Sequence, residues 1–288
     1  MLPIKKQILP ALAEIYRQIQ NEDPEILDAN IFDNELDKRA DALLAYSLAE
    51  EQGFICCYCM NRIEMRFMKD SDEPIRGRKT REGVDVDASD KAALPLFKCK
   101  VEHFKPRSVY DGIVKKPDLR IKYENLLCAC EGHIGKDLYC DTLKEDTELE
   151  HLPNPANTKT KDFQRLYQLR YTENGRVKSD HAGVNEEIGG EEDISKANTN
   201  IVSYKTGVLN LNCQTLINLR HITWRTLTAK ITKEAGTEKW DENIKKVLPI
   251  AQKYHDLYSK KDEDRKYFPF CASIVYLLEK RFKQLRKP

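Results

Sequence analysis

Cys56-Cys57-Tyr58-Cys59 is the first run in this chain whose spacing can do chemistry. A tight turn at the C-x-x-C spacing lets Cys56 and Cys59 reach one tetrahedral Zn2+ at about 2.3 Å. A thiol redox pair uses the same spacing. A second group downstream, Cys128, Cys130 and Cys140 with His133 among them, offers the remaining ligands and favours metal. Seven of the nine cysteines lie between positions 56 and 140. The count is odd and no secretory run opens the chain, which argues against a disulfide framework and for ligation in a reducing compartment, the cytoplasm. Between the cysteine groups lies Glu102-His103. A histidine titrates in the range where water can be deprotonated near neutral pH. A carboxylate beside it suits a hard divalent cation.

Elements that could position these groups are legible from periodicity. Ile4, Ile8, Leu12, Ile15 and Ile19 share one helical face, ending at Asn21-Glu-Asp-Pro24. A second helix is expected from about 34 to 51, with Gly53 as its stop. Residues 69–93 read as a surface insertion, and 98–104 alternate like a short strand ended by Pro106. Asn174-Gly175 marks a hairpin turn within 171–177, and 180–193 read as an acidic, mobile loop. Amphipathic helices are expected at about 206–233, 238–258 and 268–285. Three regions follow: a helical segment 1–52, a cysteine-rich centre 53–150, and a mainly helical remainder 151–288. A centre of this size has little core of its own, and a structural metal would supply what burial does not.

The 48 basic and 47 acidic residues nearly cancel, but they are segregated. Residues 1–55 hold five basic and eleven acidic side chains, residues 98–122 eight and three, and residues 260–288 nine and four. Two basic regions on a neutral chain suit a polyanionic partner. No run approaches the roughly 20 apolar residues of a membrane span, and no G-x-x-x-x-G-K-[ST] nucleotide loop occurs.

The ordered set C-x-x-C, Glu102-His103-Phe104 with Pro106, Glu124-Asn125-Leu126-Leu127, and Cys140-Asp141 with Lys144 resembles the HNH endonucleases of the ββα-metal class. With Val208-Leu-Asn-Leu-Asn-Cys213 and Leu219-Arg220, it looks like the retron- and Septu-associated HNH family of anti-phage defence. The resemblance covers residues 50–145 and, more loosely, 200–225. It implies an α+β, mainly helical chain with a zinc-stapled ββα core flanked by N- and C-terminal helices. It also implies metal-dependent hydrolysis of nucleic acid, DNA before RNA. His103 would be the general base, and Glu102 and Asp141 would hold a catalytic Mg2+ or Mn2+. Asn125 would tie down the loop after the histidine, and Lys144, a helical turn beyond Asp141, would hold the scissile phosphate. Cys56, Cys59, Cys130 and Cys140 would bind structural Zn2+; Cys130 is the family's position, with Cys128 and His133 as alternatives. Cys99, Cys213 and Cys271 read as small buried apolar residues. Expected partners are an ABC-type ATPase subunit and, in retron systems, a reverse transcriptase with its msDNA; no membrane is involved. The rival reading is a zinc module that binds nucleic acid or bridges proteins without cutting.

Overall fold

A computed structural model describes residues 1–20, 32–67, 76–80, 83–85, 94–110, 120–159, 169–189 and 207–286. The fold is α+β and mainly helical, with small antiparallel sheets. In order these are α1 (Pro10–Gln20), α2 (Lys38–Glu51), β1 (Arg76–Thr80), β2 (Gly83–Asp85), β3 (Leu94–Pro95), β4 (Cys99–His103) and β5 (Leu126–Cys130). There follow β6 (His133–Ile134), β7 (Asp137–Leu138), α3 (Asp141–Lys144), β8 (Leu169–Tyr171), β9 (Val177–Ser179), α4 (Ala182–Ile188), α5 (Gln214–Ala235), α6 (Ile244–Ser259) and α7 (Cys271–Arg281). No described helix is long and apolar enough to cross a membrane.

The centre is the β4–β5 ladder, in register from Cys99 opposite Cys130 to His103 opposite Leu126. Its two faces border two apolar clusters. One holds Leu12, Phe32, Leu36, Leu44, Leu48, Leu126 and Cys128, built from α1, α2 and one face of the ladder. The other joins the cysteine knuckle, Leu127 and Ala129 to residues of α5, α6 and α7. This second core runs straight across position 150, so the centre and the C-terminal helices share their buried surface. Gln52 bonds both backbone groups of Cys128 at 2.8 Å, fastening the end of α2 to β5.

Several expected boundaries shift for local reasons. α1 starts at Pro10, leaving Ile4 and Ile8 outside it, because proline has no N–H to continue a helix and disfavours helical geometry in the preceding residue. A wide helical turn at Phe32–Asp37 precedes α2. Gly53 follows α2 at φ +69, the left-handed conformation that suits glycine. β1 and β2 lie inside the expected insertion; the rest of 69–93 is outside the described residues. The hairpin at Asn174-Gly175 is present as β8–β9. Part of the expected acidic loop is instead helix α4: His181 caps it by accepting the Val184 N–H at 3.3 Å, while 190–193 lie outside the described residues. α5 begins at Gln214 rather than near 206. Asn210 and Asn212 spend their amides on the carbonyls of Leu138, Val177 and Gly189, holding residues 207–213 in turns.

Candidate metal centre and adjoining acid–histidine site

Cys56, Cys59, Cys130 and Cys140 bring their sulfurs within 4.8 Å of one another, all buried. Sulfur separations are 3.8 Å for both Cys56–Cys140 and Cys59–Cys130. Thiolates 2.3 Å from a tetrahedral Zn2+ would stand about 3.8 Å apart, so the donor set fits zinc in chemistry and in size. Cys128 is not part of the cluster. It lies in the α1–α2 cluster against Cys99, whereas Cys130, at the end of β5, turns its sulfur into the four-thiol cluster. His133 is exposed on β6. None of the nine cysteines is disulfide-bonded.

The knuckle is shaped by its own backbone. The Cys56 N–H reaches Asn61 O at 2.9 Å, the Met60 N–H reaches Cys56 O at 3.1 Å, and the Asn61 N–H points at Cys59 Sγ at 3.5 Å. The Cys57 N–H bonds Cys128 O at 3.1 Å and docks the turn on β5. Cys140, with positive φ, donates its N–H to Leu209 O at 2.9 Å, so the segment 208–213 picked out by sequence closes the far side of the cluster. Burial pushes the Cys59 and Cys140 thiols up. Burial also opposes ionisation of Cys56, but thiol hydrogen bonds from its neighbours outweigh it and bring that sulfur down. The Cys56 thiolate is thus favoured, while burial holds Cys59 and Cys140 in the thiol form until a cation offsets it.

Beside this centre, Glu102 is 3% exposed. Its Oε1 accepts the Tyr58 hydroxyl at 2.6 Å and lies 2.8 Å from Lys144 Nζ. The Asp141 carboxyl is close enough to interact with it directly, so burial first and then Asp141 raise the Glu102 pKa to about 8, against the pull of Lys144. Two carboxylates that crowd in this way share a proton or a cation. Mg2+ is commonly held by one or two carboxylates plus waters, so this pair fits such an ion in type and number. Asp141 is also 3.4 Å from Lys100, whose Nζ donates to Thr142 Oγ1 at 2.9 Å.

His103 leaves β4 on the other side. Its ring meets Phe32 edge-on at 4.5 Å, and its Nε2 is 2.7 Å from Arg120 O. Since a carbonyl only accepts, Nε2 carries the proton and Nδ1 keeps the lone pair. Burial lowers this imidazole to about 4, and the charges of Arg107 and Lys144 add to the effect. The backbone carbonyl of His103 accepts from Lys144 at 3.2 Å, so one ammonium touches both residues of the pair. Asn125 clamps the following residue: Nδ2 donates to Lys105 O at 3.0 Å and Oδ1 accepts the Lys105 N–H at 2.8 Å. The adjacent Phe104 N–H bonds Asn125 O at 2.9 Å. Asn125 therefore occupies the loop-tying position expected of it.

Lys144 needs correction. It is fully buried and committed to Glu102 and His103 O, so it does not face a phosphate; its job is to neutralise a buried carboxylate. The exposed cation beside the acids is Lys100, which strand alternation places on the Glu102 face. Tyr58 also belongs to the site through its bond to Glu102, and its place between two cysteines of the cluster is the sequence signal for it. The chain matches no protein-family model and no curated protein.

Proposed function

We propose that this chain is a metal-dependent HNH-type endonuclease that hydrolyses phosphodiester bonds of nucleic acid. The observation that carries the reading is the convergence on one short hairpin of a four-thiol cluster, an acidic pair and a histidine loop clamped by an asparagine. β4 supplies Glu102 and His103, β5 Cys130 and α3 Asp141, while Cys56, Cys59, Asn125 and Cys140 come from the turns beside them.

In the proposed reaction His103 Nδ1 takes the proton from water, with Nε2 held by Arg120 O so that the ring cannot turn. Glu102 and Asp141 hold a divalent ion, which when bound supplies charge neutralisation at the leaving oxygen. The base and the acids flank the end of β4 from opposite sides. Lys100 is the cation placed to meet the substrate's negative charge. A cleft of about 300 Å3 lies beside the clamped loop, bordered by Lys105, Lys122 and Asn125 and also by Glu124, Glu148 and Glu150. The family resemblance extends the proposal to anti-phage defence with an ABC-type ATPase partner.

The rival zinc module draws on the burial of His103 under Phe32 and of Glu102 against Lys144. Nicking of supercoiled plasmid by the zinc-loaded protein in Mn2+ separates the two readings. Wild type is expected to cut, and His103→Ala to lose about 10²–10⁴-fold. Failure of wild type to cut duplex DNA, single-stranded DNA or RNA, with the ATPase partner present, would leave the module.

A further inference from the structure

The two residues inside the C-x-x-C turn are not spacers. Cys57 docks the turn on β5 through its backbone N–H. Tyr58, 1% exposed, crosses to β4 and delivers its hydroxyl to Glu102 Oε1 at 2.6 Å. Lys144 reaches the same oxygen at 2.8 Å. Two donors on Oε1 fix the carboxylate's rotation and leave Oε2 as the oxygen available to a cation shared with Asp141.

We propose that Tyr58 is a positioning residue through which the structural metal sets the aim of the catalytic carboxylate: with the knuckle closed, Tyr58 holds Glu102 Oε1 and turns Oε2 toward the divalent-ion site. This rests on the nuclease reading of Glu102 and Asp141. Three observations support the linkage. Tyr58 is adjacent in sequence to the ligand Cys59, so it cannot hold its position unless the turn is formed. Its ring lies in the same core as the four sulfurs. Its hydroxyl has one hydrogen-bond partner among the described residues, the Glu102 carboxylate, so the phenol is not spent on another structural bond. A tyrosine needed only for packing would have no reason to end on a metal-binding carboxylate, and phenylalanine would fill the space without burying a hydroxyl.

The test is Mn2+ binding to the zinc-loaded chain, measured by titration calorimetry and by the loss of the free Mn2+ paramagnetic signal, so that no turnover is needed. Partners that orient a metal ligand typically contribute 10–100-fold in affinity. Tyr58→Phe is expected to weaken Mn2+ by about that factor while zinc stoichiometry is unchanged. Tyr58→His, which keeps an N–H donor, should recover part of the loss. In a Glu102→Gln background Tyr58→Phe should have no further effect. Cobalt substituted for zinc reports knuckle integrity through its thiolate spectrum. Should Tyr58→Phe fail to hold cobalt, wild type is compared with Tyr58→His, for which weaker Mn2+ binding is expected. Unchanged Mn2+ affinity in a Tyr58 variant, with Glu102→Gln weakened, overturns the role of Tyr58 and leaves the nuclease reading standing. Glu102→Gln binding Mn2+ like wild type overturns both.

Discussion

The two faces of the β4–β5 ladder are held by different physics. Toward α2, Val101, Leu126 and Cys128 join Leu36, Leu44, Leu48 and Phe32 in a cluster held by apolar burial. Toward the cysteine knuckle, Glu102, Lys144, Tyr58 and four thiols are buried together. An apolar face loses stability in proportion to what is removed. A face of buried charges and ligands depends on each partner, since a group left alone carries its full desolvation cost. The polar face is therefore the brittle one, and it carries the proposed metal ligands, while the proposed base His103 lies against Phe32 on the other.

The sharpest way to break the comparison is at the metal. Cys140→Ser, or stripping zinc with a chelator, is expected to unfold the centre. A structural zinc is worth an apparent ~10–16 kcal/mol in small domains, and no apolar substitution approaches that. Because the core runs across position 150, α5 to α7 should lose stability with it. Calorimetry with and without chelator checks this, and an unchanged melting profile would remove the metal from the fold.

Next in size is a matched pair. Lys144→Met leaves Glu102 buried without its counter-charge and is expected to cost about 3–5 kcal/mol. Adding Glu102→Gln should give part of that back, because a neutral amide tolerates burial better. Leu126→Ala on the opposite face should cost about 2–5 kcal/mol, with no gain from Glu102→Gln. Denaturant melts of the double mutants read the contrast, and equal behaviour on both faces would contradict it.

The smallest effect is in pH. His103 is lowered to about 4 in the fold from its ordinary 6.5, so the unfolded chain binds the proton first as pH falls. This group's contribution is present above pH 6.5 and is lost as pH drops toward 4. At 1.36 kcal/mol per pH unit the loss reaches about 3 kcal/mol. Glu102 slopes the other way: with its pKa raised to about 8, it costs stability as pH rises from 4.5 to 8. His103→Gln, which can keep a donor toward Arg120 O, should flatten the acid side of the melting curve and leave the alkaline side alone. An equally steep acid side in the variant would place the proton elsewhere.

Much of the candidate site could be read from residue order. Cys56 and Cys59 were legible from their spacing, because thiolate reach across a tight turn is a local property, whereas Cys130 over Cys128 or His133 was expected only from the resemblance to HNH endonucleases. The clamp at Asn125 was expected only from the resemblance, since nothing local says that its amide meets Lys105, 20 residues earlier. Helix positions were recovered wherever apolar periodicity was strong, as in α2 and α7. They failed where proline at position 10 or the asparagines at 210 and 212 redirected the backbone.

Tertiary structure alone decided where each charge would end. Lys144 shares a helical face with Asp141, and nothing local says that its ammonium turns inward to Glu102. That follows only once α3 closes over β4 and water is excluded, when an unpaired carboxylate becomes costly. The Tyr58–Glu102 bond, the cover of Phe32 over His103 and the carbonyl of Arg120 at Nε2 join segments far apart in the chain. Sequence determined which side chains can ligate, donate or accept. Burial decided which partners they must choose, because the strength of each polar contact is set by the dielectric that the fold creates around it.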